Sequence, residues 1–528
     1  MNRKRLIHIF LIAALAFLVY SNSFKNDFVF DDIKVIEENT FIRDLKNLPI
    51  LLKPREYTER SRENRGYSPV STLSYFLSYS LWGLKVEGYH ITNTLFHSFN
   101  ALLLYFIVLL ALKDEKIAFF SSLLFACHPV HTEAVTWIVE RRDVFSGFFF
   151  LTAFLLYIRS SLAGGGRKTY LYALSLFAFA LSLFAKEMSI TLPLVIVLYD
   201  RCFAEKEKRK NLYPAYFLIA LLYLAGRLFI YRWGGGDVDS YSGGPFLNRM
   251  LNMTRGIIFY IRMLLFPSGL AVNHEFRLSK SLLEPAVLVS ICIDAVIAAA
   301  LVKLYKHSRE IFFSVLFLFI TLLPVSNMIP IPDVIVAERY LYIPSAGFCV
   351  FLGILAGRMY GRYDRRFAAP VFLLVLTMYS LITLKRNAEW KDDVTLWSKT
   401  LKLYPLSSTA YYNRGVAFRR AGDYNRAMDD YMKAIEINPH FSKTYYNRGN
   451  LYAENGHIDE ALSDFDKAIK LNPQYSEAYA NRGVLYWGKG FHDKAIADFT
   501  KALEINPQNK EAYDNRAKAL GQGIRRQK

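Results

Sequence analysis

Up to about residue 388 the chain alternates long apolar runs with short charged connections, and after Trp390 a different period takes over. Arg3, Lys4 and Arg5 precede the first run, which ends near Tyr20 with no small-residue cleavage site and reads as a retained first helix. Further runs near 90–111, 117–128, 144–158, 169–185, 190–200, 213–231, 284–303, 310–325, 345–360 and 367–384 complete a prediction of eleven membrane spans. Several are shorter than the roughly 20 residues that a bilayer requires, which leaves their ends loosely defined. Residues 247–266 carry Arg249, Arg255 and Arg262 in an apolar helix and read as interfacial or re-entrant. Residues 21–89 form a long external connection whose aromatic, hydroxyl-rich part from Tyr67 to Tyr75 suits the interface better than a span.

Beyond Trp390, Pro405, Pro439, Pro473 and Pro507 recur every 34 residues, as do Gly415, Gly449 and Gly483. Ala427, Ala461 and Ala495 keep the same register, where small residues let paired helices approach. This is the period of a tetratricopeptide array. The predicted organisation is all-α: a polytopic membrane domain over 1–388, a degenerate leading half-repeat over 389–408, three repeats over 409–510, and a capping helix with a basic tail over 511–528. Asn413, Asn447, Asn481 and Asn515 form a row at the same spacing, suited to bonding the backbone of a peptide or protein partner. Asn is also simply common at such positions.

Composition agrees with this division. The chain is 53% hydrophobic and 16% aromatic, too apolar for a soluble protein of 528 residues. Of the net +19, little lies in the repeats, where 22 Lys and Arg from residue 389 onward meet 18 Asp and Glu. The excess lies in the membrane half, whose loops at 113–116, 159–168, 201–210, 303–309 and 358–366 are basic or mixed, which fits a cytoplasmic face rather than a nucleic-acid surface. That orientation puts the N-terminus in the cytoplasm and the repeats outside. Nothing resembles a retention signal for the endoplasmic reticulum, so a bacterial inner membrane is expected. Cys127, Cys202, Cys292 and Cys349 have no metal-ligand spacing and read as small core residues.

The candidate chemistry lies in the external connections. Asp31 and Asp32 follow the first helix, and two adjacent carboxylates suit proton acceptance or cation binding, or form a solvated turn. His128, His131 and Glu133 could ligate a divalent metal or cap a short span. Glu140-Arg141-Arg142-Asp143 could serve a site or merely orient the chain. Lys186-Glu187 reads as a functional cation or a self-neutralising pair, and Arg339, beside Tyr340, as a phosphate ligand or a snorkelling side chain. On the predicted topology all of them share the face that carries Asp32. Basic groups at an interface suit a phosphate, and a carboxylate beside them suits deprotonation of a hydroxyl.

The set Phe30-Asp31-Asp32, Tyr67 through Tyr75, Gly88-Tyr89-His90 with Asn93 and His97, His128 through Val135, Lys186-Glu187 and Ala337 through Ser345 resembles the transmembrane and tetratricopeptide-repeat O-mannosyltransferases. These belong to the GT-C glycosyltransferase superfamily, and the resemblance covers nearly the whole chain, including domain order. It implies a GT-C membrane fold, a polyprenyl-phosphate sugar donor, and transfer to Ser or Thr of proteins outside the cytoplasm. Asp32, with Asp31, then falls on the first acidic motif as catalytic base, and Glu133 and Asp143 near the second. Lys186 and Arg339 become donor-phosphate ligands, supported by His128, His131, Glu187 and Tyr340. Two departures stand out: Tyr67-Ser68-Pro69 where relatives often have Tyr-Arg-Pro, and Arg141-Arg142-Asp143 where they have Gly-Arg-Ala-Asp. The rival readings are a non-enzymatic scaffold that assembles envelope or secreted proteins through its repeats, and a GT-C enzyme acting on lipid or polysaccharide.

Overall fold

The computed structural model describes residues 3–60, 67–204, 212–233, 246–325, 336–362 and 365–526. These are helical, with no strand among them, and divide into two units, Met1–Asp392 and Asp393–Lys528. In the first unit, six helices among the described residues are long and apolar enough to cross a membrane: Arg3–Ser23, Val86–Leu112, Ile138–Leu162, Gly165–Ala185, Pro285–His307 and Ala368–Glu389. They mark an integral membrane protein. The large apolar side chains Leu288, Val296, Leu373 and Leu374 on the last two are exposed, as lipid-facing positions should be.

Of the other five expected spans, those at 213–231 and 345–360 lie in Tyr213–Trp233 and Pro344–Arg362, and the remaining three are short for a local reason. Glu115–Cys127, Leu192–Phe203 and Arg309–Leu322 are helices of only 13, 12 and 14 residues. The first ends at His128-Pro129, and Pro restricts the residue before it to extended backbone, here φ −67° and ψ 127°. The second starts only after Lys186 has taken an extended conformation and a 3-10 turn has followed at Glu187–Thr191. Polar residues thus cut the apolar runs short and leave broken, buried connections over 128–140, 186–191 and 338–341. The interfacial reading of 247–266 corresponds to the helix Phe246–Leu265, and that of Tyr67–Tyr75 to the start of Pro69–Trp82.

Close helix approach holds the first unit together. A Cβ on Gly353 would meet the Ser121 backbone nitrogen at 2.9 Å, and one on Gly347 the Ser314 carbonyl at 2.5 Å. Small residues at such crossings let backbones pack where lipid offers no hydrophobic drive between helices.

The second unit starts with Asp393–Leu403 and continues as three helix pairs: Ser408–Arg420 with Tyr424–Ile437, Ser442–Glu454 with Ile458–Leu471, and Ser476–Gly488 with His492–Ile505. Lys510–Arg526 closes it. Within each pair an Arg on the first helix grips an Asp on the second: Arg414–Asp430, Arg448–Asp464 and Arg482–Asp498, each through two nitrogens at 2.7–2.8 Å. Gly415, Gly449 and Gly483 lie against the rings of Tyr431, Phe465 and Phe499. A Cβ on Gly483 would stand 2.8 Å from the Phe499 ring. Gly483→Val should therefore cost about 1–3 kcal/mol by overpacking. Limited proteolysis of the full chain should show faster cleavage within 476–526 and an unaltered membrane unit. Unchanged protection would mean that the approach at Gly483 is not tight.

Candidate functional site

The connection after the first helix turns sharply at Phe30, a non-glycine residue at φ 54°. The left-handed backbone there brings Val29 N–H back onto the carboxylate of Asp32, donating to Oδ2 at 3.2 Å. Oδ1 accepts from Val139 N–H at 2.7 Å, a residue 107 positions later in the chain. Asp32 is completely buried and Asp31 half-buried, so the neighbouring carboxylates occupy different environments.

Val139 belongs to the connection that carries the densest set of charges. Glu133 sits in the short helix Thr132–Thr136, Glu140 ends a 3-10 turn, and Asp143 occupies the first turn of Arg141–Leu162, where the helix dipole favours an anion. Lys186 Nζ lies 2.6 Å from Asp143 and 3.3 Å from Glu140. Arg142 reaches Glu140 at 3.3 Å. Arg339 pairs with Glu133 through its guanidinium and donates its backbone N–H to Glu133 Oε2 at 2.9 Å. Its Nε is 3.6 Å from Glu140. Three carboxylates thus face three cations, all nearly without solvent.

Burying an isolated ion costs several kcal/mol, so each of these groups depends on its partners. Burial alone would ease the proton off Arg339, but the carboxylates of Glu133 and Glu140 outweigh it and hold the guanidinium pKa well above its ordinary value. Aromatic faces complete the surroundings. Tyr340 lies under both Lys186 and Arg339, at 5.7 and 5.1 Å, and Trp137 lies 5.5 Å from Arg339.

The structure therefore brings Glu133, Asp143, Lys186, Arg339 and Tyr340 together, with Asp32 joined to them through Val139. It separates others. Glu187 pairs with Arg227 at 3.2 Å, so the adjacent Lys186 and Glu187 do not neutralise one another. His128 Nε2 contacts the Leu264 carbonyl at 3.2 Å and His131 Nε2 the Ser345 hydroxyl at 2.6 Å, while Glu133 is held by Arg339. His128, His131 and Glu133 thus do not fit a metal site, and no group of three or more candidate ligands occurs among the described residues.

In the repeats, Nδ2 of Asn413 bonds its own helix at the Thr409 carbonyl, and those of Asn447 and Asn481 reach Tyr412 and Tyr446 of the preceding repeat at 3.0 and 3.2 Å. Asn515 is half-buried in the closing helix. Asn447 and Asn481 therefore tie neighbouring repeats together, while Asn413 bonds within its own helix.

Glu140, Arg141 and Arg142 have no individual role readable from the sequence. Glu140, which touches all three cations, is visible there only as one charge in a mixed run. Arg141 is fully buried between the rings of Tyr75 and Tyr89, at 5.2 and 5.4 Å, and donates to the Ser78 hydroxyl at 2.8 Å. No spacing rule marks it, because its partners come from helices about 50–65 residues earlier.

Known proteins resemble this chain in both units. A tetratricopeptide-repeat family model matches residues 408–441, 442–475 and 476–509. A protein O-mannosyl-transferase of Caenorhabditis elegans, F38B6.6, is 27% identical over 77% of this chain and 59% of its own length. The human protein O-mannosyl-transferase TMTC3 is 26% identical over 82% of this chain and 51% of its own length, and human TMTC4 28% identical over 80% and 65%. The chain thus spans between about half and two thirds of the length of these relatives. Its homologues are TMTC-family protein O-mannosyl-transferases that carry tetratricopeptide repeats.

Proposed function

We propose that this chain is a GT-C-type membrane glycosyltransferase that moves mannose, or a similar hexose, from a polyprenyl-phosphate donor to Ser or Thr hydroxyls of proteins outside the cytoplasm. The observation that carries the reading is the buried charged cluster joined through Val139 to Asp32. The names of the relatives support mannose as the sugar and protein as the acceptor. Asp32, with Asp31 beside it, takes the proton from the acceptor hydroxyl. The hydroxyl oxygen attacks the anomeric carbon as the bond from that carbon to the phosphate oxygen breaks, and polyprenyl phosphate leaves. One displacement inverts the anomeric centre, as with inverting glycosidases. Lys186 and Arg339 meet the departing phosphate, with Glu133, Glu140 and Asp143 holding them in place. His128, His131 and Glu187 support the walls, and the repeats bind the protein acceptor.

Asp32→Asn should reduce sugar transfer from labelled polyprenyl-phosphate donors by at least about 100-fold while membrane insertion stays normal. Activity near wild type would remove Asp32 as the base. Arg339→Met alone leaves Glu133 without its guanidinium and should lower stability by about 3–5 kcal/mol. Adding Glu133→Gln should restore the thermal melting of the detergent-solubilised protein but not transfer. Recovered transfer would assign Arg339 to the scaffold alone.

The six long helices by themselves would return the chain to its starting side, so a cytoplasmic N-terminus with repeats outside requires an odd total, supplied by the shorter apolar helices. A phosphatase fused after Lys528 should be active, as expected for a protein with external repeats in a bacterial inner membrane. Activity only of a cytoplasmic reporter would overturn that topology.

A further inference from the structure

The membrane unit ends at Asp392, and its last turns make many bonds to the connections that carry the site. Asn387, wholly buried, donates from Nδ2 to the Val19 carbonyl at 2.7 Å and to Asn22 Oδ1 at 2.9 Å. Its Oδ1 accepts from the Thr136 hydroxyl at 3.0 Å, and its carbonyl accepts from Asn26 Nδ2 at 2.9 Å. Neighbouring bonds repeat the pattern. Asn22 Nδ2 donates to the Leu384 carbonyl at 2.7 Å, Asp27 N–H to the Lys391 carbonyl at 2.9 Å, and the Thr383 hydroxyl to the Cys127 carbonyl at 2.7 Å. Trp390 stacks on Trp137 with ring centres 5.6 Å apart.

Both pieces of chain that aim Asp32 are therefore tied to one side chain. Asn22 and Asn26 belong to the connection that carries Asp32, and Thr136 lies three residues before Val139, whose N–H holds Asp32 Oδ1. The role needs a planar group with two donors and an acceptor on one short stem. Asp lacks the donors, and Gln would set the amide one bond too far from the helix.

We propose that Asn387 is a positioning residue that fixes Asp32 by clamping the connections around residues 22–27 and 128–140 against the end of the last span. The catalytic half of this inference rests on Asp32 being the base, while the geometric half does not.

The test measures hydrogen exchange and transfer kinetics on the full-length protein in detergent for wild type, Asn387→Ala and Asn22→Ala. Asn22 is exposed, so its variant keeps the comparison open if Asn387→Ala fails to fold. Exchange of peptides covering Val29 and Val139 should quicken by about tenfold or more in Asn387→Ala, and less in Asn22→Ala. The kcat for transfer should fall by about 10- to 100-fold, with KM for donor and acceptor nearly unchanged. In an Asp32→Asn background, Asn387→Ala should lower the residual rate no further. Unchanged exchange at both amides in a folded variant would overturn the proposal. So would a loss of rate that multiplies with that of Asp32→Asn. A wild type that transfers sugar from no donor would instead defeat the catalytic reading, and the exchange data would still decide the clamp.

Discussion

A charge removed from water must find a counter-charge at once, and much of the membrane unit follows from that rule. Glu133, Glu140 and Asp143 are tolerable beneath the surface only because Arg142, Lys186 and Arg339 reach them. Those residues arrive on three different connections, and for the partners to meet, each connection must break its helix early. The short helices beside the long spans are therefore the geometric consequence of a polar interior. The same requirement explains why aromatic faces line the cluster, since Tyr340 and Trp137 accept cations without adding a charge that would itself need balancing.

Asp32 is held differently from the cluster carboxylates. Two backbone amides grip it, one close in sequence and one far away. Amide bonds fix the orientation of both carboxylate oxygens and favour the ionised form of the group. The left-handed turn at Phe30 is what presents the near amide. Asn22, Asn26 and Thr136 then tie the two connections to Asn387, so that orientation is what these bonds supply to this residue.

How much of this could be read beforehand depended on whether a signal was periodic. The repeats were legible because Pro, Gly and Ala return every 34 residues and a helix pair built on that period packs in only one way. Glu133, Asp143, Lys186 and Arg339 stood out as charges in apolar surroundings, and the structure gathers them. Partner choice was not legible. Lys186 passes over its neighbour Glu187 for Asp143 and Glu140, because an extended backbone at Lys186 points the two side chains to different partners. Glu140 and Arg141 were hidden for the same reason, their roles being set by contacts distant in sequence. Helix ends were less legible than helix existence, because hydropathy registers an apolar run at 117–128 but not that His128-Pro129 ends its helix in buried surroundings.

The balance of charges in the cluster also constrains how such a protein can change over generations. Replacing Arg339 or Lys186 by a neutral residue takes the paired cation from Glu133 or Asp143, so the first step toward a new arrangement passes through a less stable protein. Compensating exchanges must arrive together or in quick succession, and the order in which they occur matters. Substitutions within the cluster should therefore be coupled to one another rather than independent. Lineages should keep it whole or trade it in matched pairs, while the exposed apolar flank that faces lipid drifts freely.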